Sequence, residues 1–182
     1  MMTPRVLPLE PPYSPDVEAS LRKWMPPGAA VEPLALFRTI ARFPQLSERL
    51  RPLGAFFLGH GALPARLREL AILRTCARCG AAYEWGVHVA AFARAVGLDE
   101  AAIHATATTG SWTGLDAHVI RAVDELHDAG TIAGGTWTEL AAQLPEPALV
   151  ELVALAGFYH LISFLVNALG VAHEPWAAPF PA

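Results

Sequence analysis

LRELAILRTCARCGAAYEWGVHVAAFARAVGL, residues 67–98, joins an apolar helical repeat to Glu69, Cys76, Cys79, Tyr83, Glu84 and His88. A purely structural helix has little use for two carboxylates, two thiols and an imidazole, because each ionisable group taken from water must be paired or neutralised. The stretch therefore reads as a site carried on helices. Pro64 is placed to start a helix through Leu67, Leu70, Ala71, Leu73 and Arg74 towards Cys79. Gly80 is costly inside a helix and natural where one ends. A second helix is predicted from near Ala81 to Val96, with Gly97 as its stop and Asp99 as the next N-cap.

Outward from this stretch the pattern stays helical. PLALFRTIARF has apolar residues at three- and four-residue intervals, and Pro44 closes it while opening PQLSERLRPL. GAFFLGHGALP, rich in glycine, is predicted to be a connection with His60 as a loop residue. Downstream, a short helix is expected from Asp99 to about Thr108, another over 117–129, one capped by Thr136, and a long one over 148–169 stopped by Gly170. No segment has a convincing period-two strand pattern, so the predicted class is all-α. RELAILRTC and VELVALAGF echo each other weakly, as duplicated helical hairpins would.

Three regions follow. Residues 1–32 form a proline-rich N-terminal arm, with Ser14 and Pro15 placed to start one short helix to about Met25 and with extended or turning chain at Pro26-Pro27. Residues 33–171 form one helical domain, and residues 172–182 an irregular tail.

Of the 182 residues, 53% are hydrophobic and 16% charged, and the mean hydropathy is +0.34. That is more apolar surface than a monomer of this size hides easily, and it points to a homo-oligomer. The net charge of -4 and the scattered Lys and Arg argue against a nucleic-acid partner. No membrane partner is expected either: the richest apolar run, LVALAGFYHLISFLVNALGV, is interrupted by His160, Ser163 and Asn167. The N-terminus lacks a secretory layout, which makes the cytoplasm the expected location and reduced thiols the expected state.

Glu84 and His88, four apart on one helix, share a face, so the carboxylate can orient the imidazole for proton transfer; the same spacing also suits an exposed surface pair. Cys76 and Cys79 form a Cys-x2-Cys pair. Arg74, Arg78 and a following helix N-terminus would favour a thiolate, whereas burial would make Cys76 a small hydrophobe. A zinc site from these cysteines, His88 and a carboxylate would want a second paired unit that the chain lacks, so no metal is expected, and no cofactor. Glu69, among Leu67, Leu70 and Ile72, would have its pKa raised by burial unless Arg66, Arg68 or Arg74 pairs with it. Tyr83, Tyr159 and His160 are candidates for lining a small-molecule pocket, and Asn167 is a further polar group on the last helix.

The motifs PLALFRTIARFPQL, ELAILRT with YEWGVH, RAVDELHD and FYHLISFLVNALGV resemble the carboxymuconolactone decarboxylase family, which includes the alkylhydroperoxidase D-like proteins. The resemblance covers about residues 33–171. It implies a compact helical bundle of two related halves, assembled as dimers, trimers or hexamers, and either a lactone decarboxylase or a thiol peroxidase. The peroxidase branch carries a Glu nineteen residues before a His, as Glu69 and His88 stand here, with a Cys-x2-Cys between them. In this chain those cysteine positions are Ala81 and Glu84, and its own pair sits five residues earlier. The expectation is thus acid–base chemistry on a small organic acid or lactone by Glu69, Glu84 and His88. The alternatives are a peroxidase in which Cys79 attacks and Cys76 resolves, and a non-catalytic helical module that binds a ligand.

Overall fold

The structure is a computed structural model that describes residues 4–25 and 31–181; the extended chain expected at Pro26-Pro27 lies outside them. Among the described residues there are nine α-helices and no strand. They are α1 (Pro15–Arg22), α2 (Ala35–Ile40), α3 (Pro44–Gly59), α4 (Ala65–Arg78), α5 (Ala82–His88), α6 (Glu100–Ala107), α7 (Gly114–Ala129), α8 (Gly134–Ala141) and α9 (Glu146–Leu169). One π-helical stretch, Val89–Ala93, prolongs α5.

α4 is the centre. Leu70, Ala71, Ile72, Leu73 and Cys76 have no exposed surface, because α4 is enclosed by α5, α6, α7 and α9. Its longer cations leave the core towards α7. Arg66 pairs with Asp116 at 2.9 Å, Arg74 with Asp124 at 2.7 Å, and Arg78 with Asp128. All three pairs are 50 residues apart, so the two helices run side by side in the same direction. Partly exposed pairs of this kind add little stability individually; here they fix the register of α4 against α7.

α3 runs further than its sequence suggests. GAFFLG continues the helix to Gly59 because Phe57 is buried against Phe158 of α9, their rings 5.4 Å apart. Pro52, inside α3, is tolerated on the solvent side. His60 is an exposed residue at the end of α3, as read from the sequence. Thr136 does not cap α8. That helix starts after Ala133, and Thr136 lies within it, donating to Glu125 Oε1 at 2.8 Å while Glu125 Oε2 accepts the Ala133 N–H at 2.9 Å. α1 ends at Arg22 and α7 begins at Gly114, a few residues from the expected boundaries.

α9 is long and apolar enough, by length and composition, to cross a membrane. In this fold it is the second core helix, burying Leu149, Leu152, Leu155, Ile162 and Val166 against α4, α7 and α8. The acidic residues of the sequence echo, Glu69 on α4 and Glu151 on α9, are both buried. Glu151 Oε2 accepts the N–H groups of Ala62 and of Leu63, the latter at 2.8 Å, and so anchors the loop between α3 and α4. Gly61 leaves room for that carboxylate, since a Cβ there would run into Glu151 Oε1 and push it off the loop. Glu151→Ala, which strands the buried Leu63 N–H and leaves the Ala62 N–H without its acceptor, is expected to lower stability by about 1–3 kcal/mol, read as a shifted urea midpoint with an unchanged slope.

Both termini are tied down. The arm crosses the end of α9 and the side of α2, through Arg5 N–H to the Leu169 carbonyl at 2.9 Å and Arg38 to Glu10 at 2.8 Å. The tail lacks regular structure, as expected, yet it is held over α5. Ala178 N–H bonds the Gly86 carbonyl at 3.1 Å, and Glu174 Oε1 accepts from Tyr83 Oη and from Ala35 N–H, each at 2.7 Å.

Candidate functional site

The site depends on the turn between α4 and α5. Gly80, at φ 61°, takes a left-handed conformation that closes α4, with Ala81 N–H returning to the Cys76 carbonyl at 2.8 Å. The chain then re-enters helix at Ala82, which lays Glu84 and His88 on one face of α5, towards Glu69 of α4 and Tyr159 of α9.

Four buried groups meet there. His88 Nδ1 is 2.8 Å from Glu69 Oε2, and Glu69 Oε1 accepts from Arg68 Nε at 3.1 Å. His88 Nε2 is 3.1 Å from Tyr159 Oη and 3.5 Å from Glu84 Oε1. The other Glu84 oxygen, Oε2, is buried without a hydrogen-bond partner. Glu69 makes the shorter contact to the ring, Glu84 approaches Nε2 from the same helix face as its spacing suggests, and Glu84 keeps an acceptor free.

Charge state follows from this geometry. Burial disfavours the His88 imidazolium, but the Glu69 carboxylate, and then Glu84, outweigh it and push His88 up to about 9. Burial likewise acts to raise Glu69, and is overcome by His88 and Arg68, which hold the carboxyl below its usual range. Burial, then the charges of Glu84 and Glu69, push the Tyr159 phenol well up, so it stays an O–H. At neutral pH the cluster holds a His88 imidazolium against the Glu69 carboxylate, with its Nε2–H directed to Tyr159 and Glu84.

Glu84, His88 and Tyr159 face a cavity of about 550 Å³, and Glu69 lies behind His88. Trp24, Phe37, Phe92, Phe158 and Trp176 give it an apolar body; Glu84, His88 and Tyr159 are its buried polar lining, and Lys23 and Arg51 are its cations. Such a concave apolar site with a few converging polar groups suits a small organic ligand.

The remaining sequence candidates lie elsewhere. Tyr83 does not line the cavity: its hydroxyl accepts from Leu36 N–H at 3.2 Å and donates to Glu174, a structural link between α2, α5 and the tail. His160 also lies off the cavity, beside His127. Neither cysteine lines it, and both are free thiols. Cys76 is fully buried, and burial, reinforced by Glu84, pushes its thiol well up. Cys79 ends α4 instead of starting α5; burial raises its thiol too, despite Ser163 and Arg78. The thiolate expected from Arg74 and a helix N-terminus does not arise, because Arg74 is committed to Asp124 and the helix start is at Ala82. Asn167 Nδ2 donates to the Cys79 carbonyl at 2.8 Å and steadies that turn.

Residues 44–128, which contain the α4–α5 unit, match the carboxymuconolactone decarboxylase family. The match spans the middle of the chain, from α3 to α7. No curated protein sequence matches it significantly. Among solved structures, the chain is similar in fold to the debrominase Bmp8. A variant of that enzyme in complex with 2,3,4-tribromopyrrole has a TM-score of 0.71 and 18% identity, covering 96% of this chain and 94% of the other. An uncharacterised peroxidase-related protein from a Silicibacter species has a TM-score of 0.77 at 13% identity, with both chains fully covered. A protein of unknown function from Agrobacterium tumefaciens, suggested to be an AhpD antioxidant-defence protein, has a TM-score of 0.67 at 20% identity, covering 74% of this chain and 94% of its own. At these identities the likeness is one of fold.

Proposed function

We propose that this protein is a carboxymuconolactone decarboxylase-family enzyme that transfers a proton to or from a small organic acid or lactone in the apolar cavity. The observation that carries this reading is the continuous chain from Arg68 through Glu69 and His88 to Tyr159 and Glu84, which ends on the cavity wall while both thiols lie outside it. His88, kept protonated by Glu69, is the general acid. Glu84, with its free Oε2, is the general base or the group that returns a proton to His88. Tyr159 positions the imidazole and donates to a substrate oxygen.

In a decarboxylation the electron pair of the breaking C–C bond moves into the conjugated system of the substrate. Carbon dioxide departs, and His88 Nε2 delivers the proton to carbon. The lining fits a substrate with an apolar body and a carboxylate, since Lys23 and Arg51 have no carboxylate partner among the described residues. Benzoate, a minimal aromatic carboxylate, is expected to change the fluorescence of Trp24 and Trp176 on binding, and Arg51→Ala is expected to weaken its binding by about tenfold. Equal affinity for benzoate and neutral benzamide would remove the anionic substrate class.

The peroxidase alternative has one observation in its favour, the 3.9 Å approach of Cys79 Sγ to His127 Nδ1. It requires Cys79 to attack as a thiolate, which burial opposes.

Self-association is proposed through α9. Val150, Val153, Leu161 and Phe164 are exposed at three-, eight- and three-residue intervals on one stripe of that helix, and Gly157 between them has open space where a Cβ would be. A second copy covering this stripe accounts for the apolar composition. Leu161→Glu with Phe164→Glu is expected to leave a monomer in sedimentation velocity; an unchanged sedimentation coefficient would place the contact elsewhere.

A further inference from the structure

The turn that carries Cys79 faces two histidines that the acid–base cluster does not use. Cys79 Sγ is 3.9 Å from His127 Nδ1 of α7, and His127 Nδ1 is 2.9 Å from His160 Nε2 of α9. All three donor atoms lie within 4.8 Å of one another, and all three residues are partly buried. None of them lines the cavity.

We propose that Cys79, His127 and His160 form a binding site for a single divalent transition-metal ion of the zinc class. A tetrahedral zinc with bonds of about 2.3 Å to sulfur and about 2.0 Å to nitrogen separates its donors by roughly 3.3–3.6 Å. The His–His pair must therefore open slightly and the thiol must close, movements within reach of side-chain rotation. Three protein ligands leave a fourth position for water or another small donor.

The surrounding groups prepare the donors. His160 Nδ1 is 2.8 Å from the Ala156 carbonyl of its own helix and donates to it, which leaves the Nε2 lone pair turned towards His127. A backbone carbonyl that fixes the tautomer and aim of a ring is the usual support for a ligating histidine. With that lone pair 2.9 Å away, His127 Nδ1 carries its ring proton in the metal-free protein, and the proton moves to Nε2 as the ion binds. Asn167 fixes the Cys79 carbonyl, and hence the position from which the thiol projects. On binding, the Cys79 S–H bond is replaced by a bond from sulfur to the metal, and the proton is released to solvent. The ligands differ from the Cys76, Cys79, His88 and carboxylate set that the sequence reading weighed and set aside. His127 enters instead, from 48 residues away. A bound ion would tie the α4–α5 turn to α7 and α9.

The test uses the whole chain, stripped with a chelator and desalted, titrated with zinc against a chromogenic competitor, and separately loaded with cobalt. One zinc per chain is expected, with affinity lowered by about 100-fold or more in Cys79→Ser, His127→Ala and His160→Ala. The cobalt protein is expected to show a thiolate-to-metal charge-transfer band that Cys79→Ser abolishes and that Cys76→Ala and His88→Ala retain. Each variant is checked for its helical circular dichroism, and the cobalt band identifies the ligand independently of affinity. Uptake below one ion per chain, uptake equal across the three ligand variants, or a band that survives Cys79→Ser would overturn the proposal.

Discussion

In the intact protein the His88 ring is expected to remain protonated until about pH 9, and in Glu69→Gln its titration is expected to fall by roughly two units. The cause is specific. Burial alone would hold a histidine below its ordinary pKa, and only the Glu69 carboxylate at 2.8 Å, aided by Glu84, reverses that. The substitution keeps the shape and a hydrogen-bonding atom and removes the charge. NMR titration of the ring proton on His88 reads the change without a substrate. A His88 that titrates alike in both proteins would mean that Glu69 does not set its charge.

The same pair makes stability depend on pH. His88 has a folded pKa raised above its ordinary 6.5, so its contribution is complete below about pH 6.5 and is lost as the pH rises through about 9. Glu69 has a folded pKa lowered from 4.5, so its contribution is present above about pH 4.5 and is lost as the pH falls through the folded value. Maximum stability is expected between these limits. The His88 shift corresponds to on the order of 3 kcal/mol between its two ends, shared with Glu69 and not additional to it.

The second large effect is on turnover. His88→Ala is expected to reduce kcat for an organic-acid substrate by about 10²–10⁴-fold, the usual contribution of a positioned proton donor. Glu84→Gln is expected to reduce it by a comparable factor while leaving the His88–Glu69 contact in place. Because His88 acts as the acid, the profile of kcat should fall as the pH rises through the His88 pKa, and Glu69→Gln should move that fall to lower pH. A profile unmoved by Glu69→Gln would separate the proton donor from this pair.

The all-α class and most helix boundaries follow from local signals that the fold respects. Ser14 caps α1, Asp99 caps α6 through Ala102 N–H at 2.8 Å, and Gly80 and Gly170 stop their helices in left-handed conformations. The Glu69–His88 pairing was visible only in the resemblance, because residues nineteen apart on two helices have no periodic signature. The unaided spacing pointed to Glu84 as the orienting partner. Tyr159 was legible as a polar interruption in an apolar helix, but so were Tyr83 and His160. Which of the three faces the cavity depends on packing: Tyr83 is drawn away by Glu174 of the tail, and His160 by His127. Lys23, Arg51 and the tryptophans of the cavity come from three separate segments and carry no joint signal in the chain. The extension of α3 was hidden because GAFFLG looks like a loop until Phe158 offers Phe57 a partner.

The central claim is that the cavity cluster, and not the thiols, runs the chemistry. It is tested most directly by turnover of a panel of small aromatic and cyclic carboxylates, in chelator-containing buffer, by the intact chain, by Cys76→Ala/Cys79→Ser and by His88→Ala. The cysteine-free protein is predicted to retain the intact chain's turnover while His88→Ala loses it. Loss of turnover in the cysteine-free protein together with full turnover in His88→Ala would contradict the account.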